Sequence, residues 1–193
     1  MMRCSKTRFL TAAAVLTLLG IAVFVVVEWQ QIQIRYYIAR FGKDRSFQSP
    51  HLYIDKSSQR LKAIGPAAIP YLADAYKTES RPNIRHLIVL TLWGIGDPRA
   101  GPTLVAALSD ADAEVREEAT LVVGKLKIQE ARSRLRELLK ESNARVRATA
   151  YFSLGEVGGA DDLALLKDGM KDADSRAAAE AREAYLTAKK RAQ

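Results

Sequence analysis

Between residues 84 and 177 the same residue types return every 31 positions, with no insertion or deletion. Ile84-Arg85, Val115-Arg116 and Val146-Arg147 share one phase. Leu92, Val123 and Leu154 share a second, and Leu104, Leu135 and Leu166 a third. Ile95, Leu126 and Val157, then Leu108, Leu139 and Met170, follow the same rule, and an acid recurs at Asp110, Glu141 and Asp172. A fixed period of this length means a solenoid, because each unit is one supersecondary element that buries its apolar face only against its neighbours.

Each unit reads as helix, short turn, helix, longer turn. Gly96-Asp97-Pro98 and Gly158-Gly159-Ala160 break the first helices, with glycine after the last apolar position. Asp161-Asp162 supplies an N-cap and first-turn charge to the second helix that follows. In the middle unit Lys127 stands where Gly96 and Gly158 stand, so that turn is expected to be the least regular. An earlier, degenerate unit pairs a first helix over 52–63 with a second over 69–77 through Ile64-Gly65-Pro66. At the other end, residues 176–188 read as a final first helix with a small inner face, Ala177, Ala181, Ala184 and Tyr185, and a charged outer face that covers the last open surface. The fold class expected is all-α: about four helix pairs stacked as an α-solenoid, preceded by one transmembrane helix.

That helix is read from Phe9 to Val27, an uncharged stretch behind a basic tail at 1–8 that carries Arg3, Lys6 and Arg8. At ~1.5 Å per residue it spans roughly 28 Å, the depth of a bilayer's hydrocarbon core. It outruns a signal peptide's apolar region and ends in Val25-Val26-Val27-Glu28-Trp29, without a small-x-small cleavage site, so it reads as an uncleaved signal anchor. Basic residues flank both sides almost equally. The tail that abuts the span is expected to stay cytoplasmic, which places the repeats on the periplasmic or extracellular side. Residues 28–50 form a juxtamembrane helix and a linker from Lys43 to Pro50, and 51–193 the repeat domain. Ile34, Tyr37, Ile38 and Phe41 make one apolar stripe that lies at the membrane surface with Trp29 and Tyr36, caps the first repeat, or does both. Gly42 stops the helix.

Net charge is +8, but residues 1–50 carry +5 of it and 51–193 only +3. The excess lies beside the apolar run, which points to a membrane surface and away from nucleic acid. The single cysteine, Cys4, excludes an intramolecular disulfide, and His51 and His86 are isolated. No metal-ligand spacing, phosphate-cradling glycine loop or Ser–His arrangement exists, so no catalytic residue, metal or cofactor is assigned.

The pattern Val146-Arg147-x-x-Ala150-x-x-Ser153-Leu154-Gly155-x-Val157-Gly158, its counterparts at 84–96 and 115–127, and the Ile64–Pro70 turn resemble HEAT repeats of the short bacterial type called PBS-lyase HEAT-like. The resemblance covers residues 52–188. It implies antiparallel helix pairs stacked in a superhelix, second helices lining the concave side, and a role in protein–protein binding or scaffolding. A few relatives attach bilins to light-harvesting proteins, so an enzyme or enzyme subunit of the bilin (phycobilisome) lyase type is the rival reading.

Two sets of charges invite a functional role. The in-phase arginines and acids read as bridges between neighbouring units rather than a ligand ladder. On the second helices, Arg136 and Lys140 lie four apart, and Lys167 and Lys171 repeat them one period later. Stacking aligns these four, with Arg132 near the end, into a basic column on the side that takes a partner. Beside it Glu137, Glu141, Asp168 and Asp172 form an acidic column. Like charges at i, i+4 do not stabilise a helix, so local energetics do not explain either column. The expected partner is a membrane-associated protein, met by a monomeric, single-pass membrane protein.

Overall fold

A computed structural model describes the backbone of residues 3–43, 45–49 and 52–191, and the side chains of 17–43 and 55–191. The helix α1, Arg3–Ala39, is followed by a two-stranded antiparallel ribbon, β1 (Arg45–Ser49) and β2 (Leu52–Asp55). Nine further helices follow: α2 (Lys56–Ile64), α3 (Ile69–Thr78), α4 (Pro82–Ile95), α5 (Gly101–Ala107), α6 (Ala113–Lys125), α7 (Arg132–Leu138), α8 (Ala144–Val157), α9 (Leu163–Gly169) and α10 (Ser175–Arg191). Even-numbered helices from α2 to α8 are first helices, odd-numbered ones from α3 to α9 their partners, and α10 closes the stack.

The 31-residue register is carried by the core. Ile84, Val115 and Val146 are buried, as are Leu92, Val123 and Leu154, and Leu104, Leu135 and Leu166. First helices approach so closely that a Cβ on Gly155 of α8 would lie 2.7 Å from the Ala184 backbone of α10. The inner face of α10, Ala177, Ala181, Ala184 and Ala188, is buried, and Tyr185 is half-buried against the same core.

The sequence expectation departs from the structure in three places. The first helix of the degenerate unit starts at Lys56, not Leu52, and the stretch read as a linker contributes a strand. Asp55 explains the late start: its carboxylate accepts the Ser58 N–H at 2.7 Å, capping α2, and the Gly42 N–H at 3.0 Å, tying the end of α1 to the same point. Lys127 adopts the left-handed conformation of Gly96, with φ of 54° against 70°, so the middle turn follows the first. The exceptional turn is the third, where Gly158 is extended. There the Gly159 N–H donates to Asp162 Oδ2 at 2.9 Å.

Of the two roles open to the juxtamembrane stripe, capping is visible. Ile34 and Phe41 are almost wholly buried, and Tyr37 and Ile38 pack on the same core. The opposite side of α1 exposes Trp29, Ile32 and Tyr36. Among the described residues Thr17–Ala39 is one helix long and apolar enough to cross a membrane by length and composition. The side chains of the tail at 1–8, and of the expected span as far as residue 16, lie outside the described residues, as does His51.

Candidate functional site

Successive second helices lie side by side and leave open grooves between them. One of 340 Å³ separates α3 from α5, with Ile69, Pro70, Tyr76 and Pro102 in its lining and Lys77 and Arg99 on its rim. Another of 280 Å³ separates α7 from α9 and is lined by Arg136, Leu139, Lys140, Tyr151, Leu165 and Lys171 among others.

The in-phase arginines form clamps. Arg85 donates Nε and one Nη to the two oxygens of Asp110, each at 2.7 Å, and its other Nη to the Glu79 and Ser80 carbonyls. Arg147 repeats this on Asp172, at 2.9 and 2.7 Å, and on the Glu141 and Ser142 carbonyls. Each arginine therefore joins the loop before its unit to the acid that closes the same unit. The acid closing the previous unit lends only its backbone carbonyl, which refines the expected bridge. Arg116 is the weaker rung: Glu141, one methylene longer, meets it once at 3.3 Å, and Arg116 Nε is buried without a partner. Burial pushes the Asp110 carboxyl up, but hydrogen bonds from Arg85 and Tyr76 outweigh it and hold the group below the usual carboxylate range. The Asp172 carboxyl is held low by its Arg147 hydrogen bonds. His86 lies 3.7 Å from Glu118, and that carboxylate raises its pKa.

The five residues of the basic column divide. Arg132 and Arg136 both converge on Asp162, each with Nε 2.6 Å from a carboxylate oxygen. Lys140 and Lys167 are exposed, with no ion-pair partner among the described residues, and Lys171 meets Asp168 at 3.5 Å in an exposed pair. Arg136, Lys140 and Lys171 come together in the α7–α9 groove, while Arg132 and Lys167 do not line it. The acidic column does not act as one: Glu141 and Asp172 serve the clamps, and Glu137 pairs with Arg134.

Asp162 is fully buried, and sequence reasoning gave it only a capping role. Desolvation pushes its carboxyl up, but hydrogen bonds from Arg136, the Gly159 N–H and Arg132 outweigh this and hold it below the usual carboxylate range. The signal that finds it is a break in the repeat. Ala100 and Ala131 occupy its phase in the two preceding units, and both are fully buried. Tyr151 and Gly169, which meet at the groove floor, are likewise exceptions: their phases hold Val89 and Thr120, and Ala107 and Leu138.

A family model described as HEAT repeats matches residues 59–120 and 101–185. The complex of CpcE and CpcF of phycocyanin lyase from Nostoc sp. is similar in structure, with a TM-score of 0.64 at 22% identity, covering 78% of this chain and 96% of that one. Human deoxyhypusine hydroxylase gives 0.54 at 21%, over 68% of this chain but only 46% of its own length. An engineered protein gives 0.55 at 20%, covering 70% and 68%. At such identities the likeness is one of fold. No curated protein matches the chain in sequence.

Proposed function

Because the chain belongs to the HEAT-repeat family, we propose that it is a docking module held at a membrane, receiving a membrane-associated protein partner on the face formed by its second helices. The observation that carries this reading is the continuity of α1. One helix of 37 residues passes from an apolar stretch, exposed from Leu18 to Val27, into the first repeat's core at Ile34. From Val27 to Ile34 is only about 10 Å at the helical rise of ~1.5 Å per residue. The repeats are thereby held close to the bilayer surface, where confinement raises the effective concentration of any partner in the same membrane. The basic tail before the span favours the non-cytoplasmic side for the repeats. The test is photocrosslinking in native membranes from probes at Thr103, in the α3–α5 groove, and at Leu165, in the α7–α9 groove, against one at Glu183 on the outer face of α10. Adducts confined to the groove probes support the reading. Release of the full chain by high salt without detergent, or adducts from neither groove, contradicts it.

A second reading, a subunit of the bilin-lyase type, draws on the likeness to the CpcE–CpcF complex. The grooves argue against it: at 340 and 280 Å³ they are at or below the small end of sites that enclose drug-sized ligands. Visible absorbance co-purifying with the full chain would favour the second reading.

A further inference from the structure

The α7–α9 groove is where the third repeat departs from its siblings in several ways at once. A repeat that serves only to stack has no use for such departures. Asp162 buries a charge in a position where alanine packs fully in the other units. That burial carries a desolvation cost, and its two guanidinium partners offset it. The carboxylate fixes Arg132 and Arg136 in place, with Arg136 at the groove edge. Tyr151 is 6% exposed as a residue, and its hydroxyl, at the groove surface, makes no hydrogen bond among the described residues. The ring is seated where it is because residue 169 is glycine: a Cβ there would lie 2.3 Å from the ring. Around this donor stand Arg136, Lys140 and Lys171, and between them the half-buried Leu139 and the 43% exposed Leu165.

The charges in the groove do not cancel. Asp172 is taken by the Arg147 clamp, and Asp162 is shared by two arginines. Asp168 meets Lys171 only at 3.5 Å, and Lys140 has no carboxylate within ion-pair distance among the described residues. What remains is a positive surplus, one free hydroxyl donor and two leucines, in a space that admits a side chain or two and not a whole ligand.

We propose that this groove binds an acidic segment of the protein partner, seating one large apolar side chain against Leu139 and Leu165 while a flanking carboxylate takes Lys140 and the Tyr151 hydroxyl. The assignment rests on the partner-docking reading above and names the chemistry of the partner. A carboxylate desolvated between a cation and a fixed donor gives specificity as well as attraction.

The test uses the full chain in detergent micelles and a random-peptide display library. Selected sequences are expected to carry Asp or Glu beside Leu, Phe or Met. Lys140→Glu, at an exposed and unpaired position, is expected to weaken a representative fluorescent peptide about tenfold or more. Tyr151→Phe keeps the ring and is expected to weaken it about threefold. Lys190→Glu on α10, the same charge change away from the groove, is expected to leave binding unaltered. Selection of sequences without acids, no enrichment, or affinities indifferent to Lys140→Glu and Tyr151→Phe would overturn the proposal. Displacement of the peptide by phosphatidylglycerol vesicles would assign the groove to a lipid surface and overturn it too. Thr103 crosslinks that persist alongside such a failure would leave partner docking standing and remove the groove alone. Absence of crosslinks from either groove would remove the docking reading itself.

Discussion

The Arg147–Asp172 clamp and the Arg132–Asp162–Arg136 cluster are made of the same parts, a buried carboxylate gripped by guanidinium groups, yet they belong to different levels of the molecule. The clamp returns every 31 residues and joins the loop before a unit to the acid that closes it. Its arginine is itself mostly buried, with 16% of the side chain exposed. The cluster occurs once, in a position that alanine fills elsewhere, and its arginines remain about one-third exposed beside an open groove. Recurrence marks what the architecture needs, and departure from it marks what one unit does that the others do not.

The largest expected effect lies on the recurrent side. Leu135 is fully buried in phase with Leu104 and Leu166, so Leu135→Ala in the full chain is expected to cost about 2–5 kcal/mol by transfer and cavity terms. Denaturant titration that placed its neighbour Arg136→Ala above it would break the 31-residue register. Next comes the clamp. Asp172→Ala strips Arg147 of its carboxylate in a largely buried place and is expected to cost about 2–3 kcal/mol. The clamps and the Asp162 cluster together set the acid limb. Asp110, Asp162 and Asp172 all titrate below their usual range when folded. Their contribution is therefore complete above the unfolded carboxylate pKa of about 4 and is lost as pH falls through the lower folded values. Melting followed from pH 6 to pH 2 should show this loss, and Asp172→Asn should make it shallower.

Smaller effects sharpen the comparison from within the repeat. The middle clamp is the imperfect one, with Arg116 Nε unbonded, so Glu141→Asp, restoring the residue found at 110 and 172, is expected to add about 1 kcal/mol. Lys127 holds a left-handed backbone without being glycine, and Lys127→Gly is expected to gain up to about 1 kcal/mol. A loss from either change, measured by thermal melting, would mean that the middle unit has requirements of its own.

Much of the fold was legible because a solenoid writes its core as a period. The buried sets, the first turn, the alanine face of α10 and the glycine stop at residue 42 all follow from phase and from glycine chemistry. The ribbon at 45–55 was not legible. It depends on Asp55 joining two helix ends 13 residues apart, which is a tertiary fact. The candidate groove was legible only in its charges. Arg136, Lys140 and Lys171, which line it, stand out because like charges at helical spacing lack a local explanation. Asp162 was passed over because an acid opening a helix has an ordinary one. Tyr151 and Gly169 were passed over because an aromatic and a glycine within helices suggest packing. Only alignment of the units against one another makes all three stand out.

Recurrent contacts that hold the stack, and exceptional ones in the third unit that serve docking, are separated by a single paired experiment. Asp162→Ala removes a carboxylate shared by two guanidinium groups at the groove and Asp110→Ala one held by Arg85 away from it, and both full-length chains can be measured for unfolding free energy and for binding of the selected acidic peptide. The account predicts that Asp162→Ala costs about 1 kcal/mol or less, because water reaches the two arginines it releases, and that it weakens the peptide severalfold. Asp110→Ala, in a clamp away from the groove, should cost the larger stability while a chain kept folded binds the peptide nearly normally. Equal destabilisation by the two, with peptide affinity untouched by Asp162→Ala, would contradict it.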